Sequence, residues 1–246
     1  LMPPAMAEGE DAGEEPGAGE ATYAVSLSNE SLSMKVGTSQ YEAPGCICYR
    51  TEQNDYCVGL EAQYFSREKG GIMLGNIYDI CQKEESIQVA GKDKEPAELL
   101  AHFLKGMLKF LGIQDIVKNT KCMCITSPEL DAIQVRNYQK ACGIAGFPAE
   151  KYMLMDYGES FYYYALGQKR ETWNRSVAWY AFDGDKIAFR KLTINAASRP
   201  ILVNLEEPVS TTLETEDEIR DVEFCRFITK TLGKELFSSV QITGEG

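Results

Sequence analysis

The chain carries eight thiols and a single imidazole, so the first chemistry to weigh is that of sulfur. Cys46/Cys48 and Cys122/Cys124 are C-x-C pairs set in the apolar runs CICY and CMCIT, and Cys57, Cys81, Cys142 and Cys225 stand alone. Residues i and i+2 of a strand face the same side, so each pair belongs to one face of a buried strand. A zinc centre would need a tetrahedral Cys/His set. With only His102 to add and no such spacing, the reading is reduced thiols in a cytosolic core, and a zinc protein built on the pairs is the alternative. Nor is this the spacing of a secreted disulfide framework. His102 lies in a helical pattern without an Asp, Ser or Cys partner nearby in sequence, which makes it a packing residue rather than a base.

Charge narrows the class. The 246 residues have a formal net charge of −12, which argues against nucleic acid or an anionic membrane surface as the main partner. Residues 1–21 hold six acids, no Lys or Arg, and much Gly, Ala and Pro. Such a segment cannot bury enough apolar surface to fold, so it is expected to be a disordered acidic leader. It lacks the basic start and apolar stretch of a signal peptide. No apolar run approaches the ~20 residues of a membrane helix, so the expected location is the cytoplasm.

The elements follow from periodicity. Residues 22–36 read as two strands around a tight turn at 28–30, with a third strand at 45–50 that 55–60 may extend after a polar turn. Residues 61–94 are mixed, with a short strand and turn in IQVAGKDK. Pro96 opens a helix carrying Leu99, Leu100, Phe103, Leu104, Met107 and Leu108 at helical spacing, stopped by Gly112. A buried strand spans 121–126, a second helix runs from Ser127-Pro128 to about Ala145, a strand covers 152–156, and an aromatic helix covers 159–168. Tyr162, Tyr163 and Tyr164 on that helix are expected in packing contacts. Three more strands follow at 177–182, 186–194 and 200–205. A long helix then runs from about Glu216, capped by Thr215, to Leu236, and a last strand leads to Gly246. The order is thus β-β-β-α-β-α-β-α, then β-β-β-α-β. The repeat is one of topology, without a residue-level repeat, and its second copy is shorter.

This plan resembles the actin, sugar-kinase and seventy-kilodalton heat-shock chaperone superfamily. The stretch from Cys124 to Gly167 is similar to the chaperone family's strand, Arg-bearing helix, Ile-Ala-Gly, short strand and closing helix, through Pro128, Arg136, Ala141, Ile144, Ala145, Gly146 and Gly167. SSVQITGEG is similar to the superfamily's adenosine motif, with Gly244 and Gly246 in its turn. The chain is also similar to a bacterial actin-like family of unknown function. The resemblance implies an α/β fold of duplicated ribonuclease-H-like domains, with an actin-like domain I at 22–174 and a partial domain II at 175–246. It also implies ATP and Mg²⁺ as ligands, and a protein partner or further C-terminal portion to complete domain II.

In active relatives two Gly-bearing hairpins bring backbone N–H groups to the phosphates while Asp side chains support hydrated Mg²⁺. The nucleotide-binding positions that the resemblance assigns here are Ser26, Ser28 and Asn29 in the first hairpin, Asp183, Gly184 and Asp185 in the second, and Gly244 and Gly246 beyond. Ser26 stands at the family's Asp position and Ser28 at its Gly position. Ala181 replaces the second Asp, and Asp183 and Asp185 stand where Gly belongs. Asp156 or Glu159 is the candidate for the acid at the corner after YMLMD. Acids in a phosphate-facing turn repel a triphosphate, and phosphoryl transfer without metal and positioned dipoles loses most of its acceleration. The expectation is therefore a pseudo-ATPase without catalytic or metal-ligating residues, serving as a scaffold or assembly module. The alternatives are a divergent ATP-binding protein that hydrolyses slowly or not at all, and a sugar or acetate kinase, which lacks its catalytic acid here. Gly, Ser, Asn and Asp also suit any hairpin turn, so these positions equally read as turns alone.

Overall fold

The structure, a computed structural model, describes residues 21–28, 31–110, 115–183, 185–214 and 217–243. The expectations for residues 1–20, Asn29, Gly184, the cap at Thr215, Gly244 and Gly246 lie outside the described residues.

The first sheet grows from alternation. In β1 (Ala21–Leu27) the side chains of Tyr23, Val25 and Leu27 are buried, and in β2 (Ser31–Val36) those of Leu32 and Met34 are. Period-2 geometry then places Ser26 on the face opposite this core. The third strand of the meander is β3 (Ser39–Pro44), antiparallel to β2. The expected third strand at 45–50 is corrected: β4 (Cys46–Arg50) leaves the sheet and pairs with β5 (Asp55–Val58) and, after α1 (Gly59–Glu68), with β6 (Ile72–Asn76). β3 was hidden because SQYEAP is an exposed edge without apolar alternation.

Two connecting pieces follow, α2 (Ile77–Cys81) and the ribbon of β7 (Ile87–Val89) and β8 (Lys92–Lys94). The helix α3 (Pro96–Phe110) buries Leu99, Leu100, Phe103, Leu104, Met107 and Leu108, as its spacing predicts. A short α4 (Ile116–Asn119) leads into β9 (Thr120–Ser127), α5 (Ala132–Ala145) and β10 (Tyr152–Asp156). The sheet order is β10-β9-β1-β2-β3, with β1, β9 and β10 parallel. α5 starts four residues later than Pro128 suggests, because Asp131 and Gln134 form a reciprocal capping box.

After α6 (Tyr157–Gly167) a second sheet repeats the plan. β11 (Ser176–Asp183) and β12 (Lys186–Asn195) make a hairpin. β13 (Leu202–Leu205) pairs with residues 192–195 of β12, and β14 (Val209–Thr212) pairs with 186–189. They are one interrupted strand: Glu206 still donates its N–H to the Lys191 carbonyl at 2.9 Å, and Glu207 and Pro208 separate the halves; only the first half was expected. α7 (Asp217–Leu232) crosses to β15 (Phe237–Thr243), which lies parallel to β11. The order β13-β12-β11-β15 matches β3-β2-β1-β9 and has no counterpart of β10 among the described residues.

The second sheet is covered on both faces. Tyr180, Ile187 and Phe189 pack against Phe227 of α7, while Val177, Trp179, Leu192 and Ile194 pack with Phe161 and Ala165 of α6. Of the tyrosines expected in packing, Tyr162 is partly buried there, but Tyr163 and Tyr164 are each 53% exposed. No described helix is long and apolar enough to cross a membrane. The thiols are free; Cys48 lies opposite Cys57 in a small cluster under α1, where burial pushes the Cys57 thiol up to about 12. His102 rests on the Tyr56 ring, 4.4 Å between centroids, and burial lowers its pKa.

Candidate functional site: a cleft between two hairpins

A cleft of about 840 Å³ opens between the two sheets. Its first wall carries Ser26, Ser28, Ser31 and Ser33 of the first hairpin, with Glu42 and Asp79. Glu129 and Asp131, at the entry to α5, continue that wall. Its second wall carries Ala181 and Phe182 of β11 and Lys186, Ala188 and Arg190 of β12. Tyr157, the first residue of α6, lies in the cleft between them.

Strand alternation aims Ser26 at this space, and its hydroxyl is already engaged. The Ser26 Oγ lies 2.9 Å from the Tyr157 hydroxyl oxygen, and the tyrosine O–H donates to the Leu27 carbonyl at 3.1 Å. The single tyrosine proton goes to that carbonyl, so the serine is the donor to the tyrosine oxygen. Ser28 closes its own turn. Its Oγ donates to the Ser31 carbonyl at 3.1 Å and accepts from the Ser31 N–H at 3.2 Å.

The second hairpin pairs Ala181 with Ala188, Phe182 with Ile187 and Asp183 with Lys186. Asp185 is exposed beyond it, and its carbonyl accepts from the Leu213 N–H at 2.8 Å. Of the sequence-assigned positions, Ser26 and Ser28 line the cleft; Asp183 sits at the end of β11 and Asp185 in the turn. Asn29, Gly184, Gly244 and Gly246 lie outside the described residues. At the corner after β10, Asp156 caps α6 by accepting from the Glu159 N–H at 2.6 Å. The carboxylate is thereby a structural cap.

Three cleft residues escaped the sequence reading. Tyr157 follows the Asp156 cap directly, where the YMLMDY run places an aromatic at the mouth of the strand. Arg190 sits opposite Trp179 in register, with its guanidinium 5.9 Å from the indole centroid. Trp179 in turn stacks on Phe161 at 4.3 Å, with the planes 7° apart, and donates its indole N–H to Thr243 Oγ1 at 2.7 Å. The signal available was the alternation of β11 and β12, which puts Trp179 and Arg190 on the face of Ala181 and Ala188.

Residues 28–246 match the model of the family described as "Family of unknown function (DUF5716) C-terminal". The chain belongs to that family. No curated protein matches it. Among solved structures it is similar to MreB 5 of Spiroplasma citri bound to AMPPNP, at a TM-score of 0.52 and 11% identity, over 89% of this chain and 60% of that one. It is likewise similar to a non-polymerising MamK mutant bound to AMPPNP, at a TM-score of 0.52 and 12% identity, over 90% of this chain and 63% of that one. The fold of this DUF5716 chain is therefore that of the actin-like ATPases, and the chain spans about three fifths of the length of the solved structures it matches.

That fold implies ATP and Mg²⁺ in the cleft. The two hairpin turns do not supply the donors these ligands need. A magnesium ion keeps most of its waters and needs one or two carboxylates, and Ser26 and Ala181 supply none. The Ser26 and Ser28 hydroxyls, which would meet phosphate oxygens, are turned to Tyr157 and Ser31. Four acids, Glu42, Asp79, Glu129 and Asp131, face the same space. The arrangement ties the first hairpin to the start of α6 by hydrogen bonds.

Proposed function

We propose that this DUF5716 chain is a non-catalytic member of the actin-like fold, a cytoplasmic scaffold or assembly module built of lobes 22–174 and 175–246. The observation that carries this reading is the Tyr157 hydroxyl seated between Ser26 and the Leu27 carbonyl, where the first hairpin would otherwise meet phosphate.

The flank formed by α7 and β15 is the proposed partner face. In the first sheet Met123 and Ile125 of β9, register partners of Tyr23 and Val25, are at most 1% exposed under α3 and α5. Their counterparts Val240 and Ile242 of β15, register partners of Ala178 and Tyr180, are 47% and 56% exposed. Apolar side chains beside an unpaired strand edge favour association.

A second reading is a divergent ATP-binding protein that closes on nucleotide without turnover. Lys186 and Arg190 favour it, since both line the cleft and could face an anion. Isothermal titration of ATP and ADP, with and without Mg²⁺, separates the two. Absence of binding at millimolar nucleotide is the expected result. Micromolar, Mg²⁺-dependent binding would overturn the scaffold reading.

A further inference from the structure

The cleft is electrically two-sided. Its acids, Glu42, Asp79, Glu129 and Asp131, come from β3, α2 and the approach to α5, all on the first wall. Its two bases, Lys186 and Arg190, both come from β12 on the second wall. Among the described residues no ion pair joins the walls. The ion pairs among the described residues of the second lobe are those of Lys191 with Glu206 and Glu235, outside the cleft lining. Arg190 is half-buried over Trp179 with its guanidinium against Gly158 of α6, whereas Lys186 is exposed, so Lys186 is the charge best placed to meet a facing carboxylate.

We propose that the two walls close on each other by direct charge attraction, with ionic strength in place of a bound nucleotide setting the balance of open and closed forms. This rests on the reading that phosphates do not fill the cleft. The physical basis is range. Charges facing each other across solvent attract over about 30 Å at 0.01 M salt, but over only about 3 Å at 1 M. Opposite signs on the two facing walls therefore favour their approach at low salt and release it at high salt. A ligand can shift such a balance only by its differential affinity for one form, whereas here the walls supply the difference themselves. Unlike a single surface ion pair, which contributes little, four acids against two bases act together.

Chromatography-coupled small-angle X-ray scattering on the whole chain tests this, from about 0.01 M to about 1 M NaCl and without nucleotide. Three proteins are compared: the parent, Lys186→Glu, and Lys186→Glu combined with Glu42→Lys and Glu129→Lys. Comparison at equal salt cancels contributions from outside the cleft. The expected result is a radius of gyration a few per cent larger for Lys186→Glu than for the parent at low salt. The difference should vanish at high salt, and the charge-swapped triple variant should return to the parent value. Circular dichroism confirms that all three fold. Scattering that is the same for parent and Lys186→Glu at every salt overturns the inference, as does failure of the swap to restore compaction. If ATP fails to bind and salt still leaves the shape unchanged, this inference falls while the scaffold reading stands. If compaction appears only with ATP, both fall.

Discussion

Ser26 and Tyr157 lie 131 residues apart in sequence, and their hydroxyl oxygens are 2.9 Å apart in the cleft. One belongs to the first strand of the first sheet and the other to the helix that leads into the second. Tyr157→Phe removes both this bond and the one to the Leu27 carbonyl while keeping the ring. Loss of a net hydrogen bond costs about 1 kcal/mol, or roughly 2–4 °C in Tm for a chain of this size. Calorimetry should show a fall of that order; an unchanged Tm would mean the bridge contributes nothing to stability.

Gly158, next along α6, lies close against side chains of the second sheet. A Cβ there would lie 2.5 Å from Leu205 Cδ2, 2.8 Å from an Arg190 guanidinium nitrogen and 3.0 Å from an Asp156 carboxylate oxygen. The constraint is contact with the second sheet, since no unusual φ is involved. Gly158→Ala should destabilise by about 1–3 kcal/mol through overpacking, read as a lower urea midpoint at unchanged m-value.

The thiols should differ sharply in reactivity. Cys225 on α7 is exposed, whereas Cys48, Cys57, Cys81 and Cys142 are buried, and burial raises the pKa of each of those four. Only the thiolate is nucleophilic. Maleimide labelling of the native protein near pH 8, followed by mass spectrometry, should show Cys225 among the first sites modified and that signal lost in Cys225→Ser. Rapid modification of Cys48 or Cys57 would show instead that the small β4–β6 sheet opens readily.

Alkaline pH should destabilise through Cys57 and Cys142, both pushed up to about 12 by burial. An unfolded thiol ionises near 8.5. A raised pKa means the folded state holds the proton more tightly, so this stabilisation is complete below about 8.5 and declines as pH rises toward 12. Each thiol adds a slope of at most about 1.4 kcal/mol per pH unit in that window. Urea midpoints at pH 8 and pH 10 should converge more in Cys57→Ala than in the parent. Equal pH slopes would rule out the buried thiol as a source.

The parts of the fold that were legible in the sequence are those whose apolar spacing is unambiguous. The Leu/Phe ladder of α3 and the runs that form β9, β10, β11 and β12 fell where period and length place them. β3 and β14 were missed because SQYEAP and VSTT are exposed on both faces, so nothing in their pattern says strand; only pairing to β2 and β12 makes them so. α1 was missed for a related reason: GLEAQYFSRE buries only Gly59 and Ala62. At the site, local patterning placed Ser26, Ser28 and Ala181 in hairpins, and only the family resemblance implied that the two hairpins face each other. Neither could supply Tyr157, whose role depends on a contact across 131 residues. The neighbouring Tyr163 and Tyr164, which the aromatic run makes conspicuous, are the more exposed ones.

The stacking of Phe161 on Trp179 gives the molecule an optical reporter of its own. α6 touches the cleft floor through Tyr157 and the second sheet through Phe161, and the only other indole, Trp173, donates to the Gln168 carbonyl at 3.1 Å just beyond its end. Both chromophores are thus mechanically tied to one short helix. Any event that shifts that helix, whether a change of salt, a substitution at the floor or an arriving partner, should alter the indole emission without an added dye.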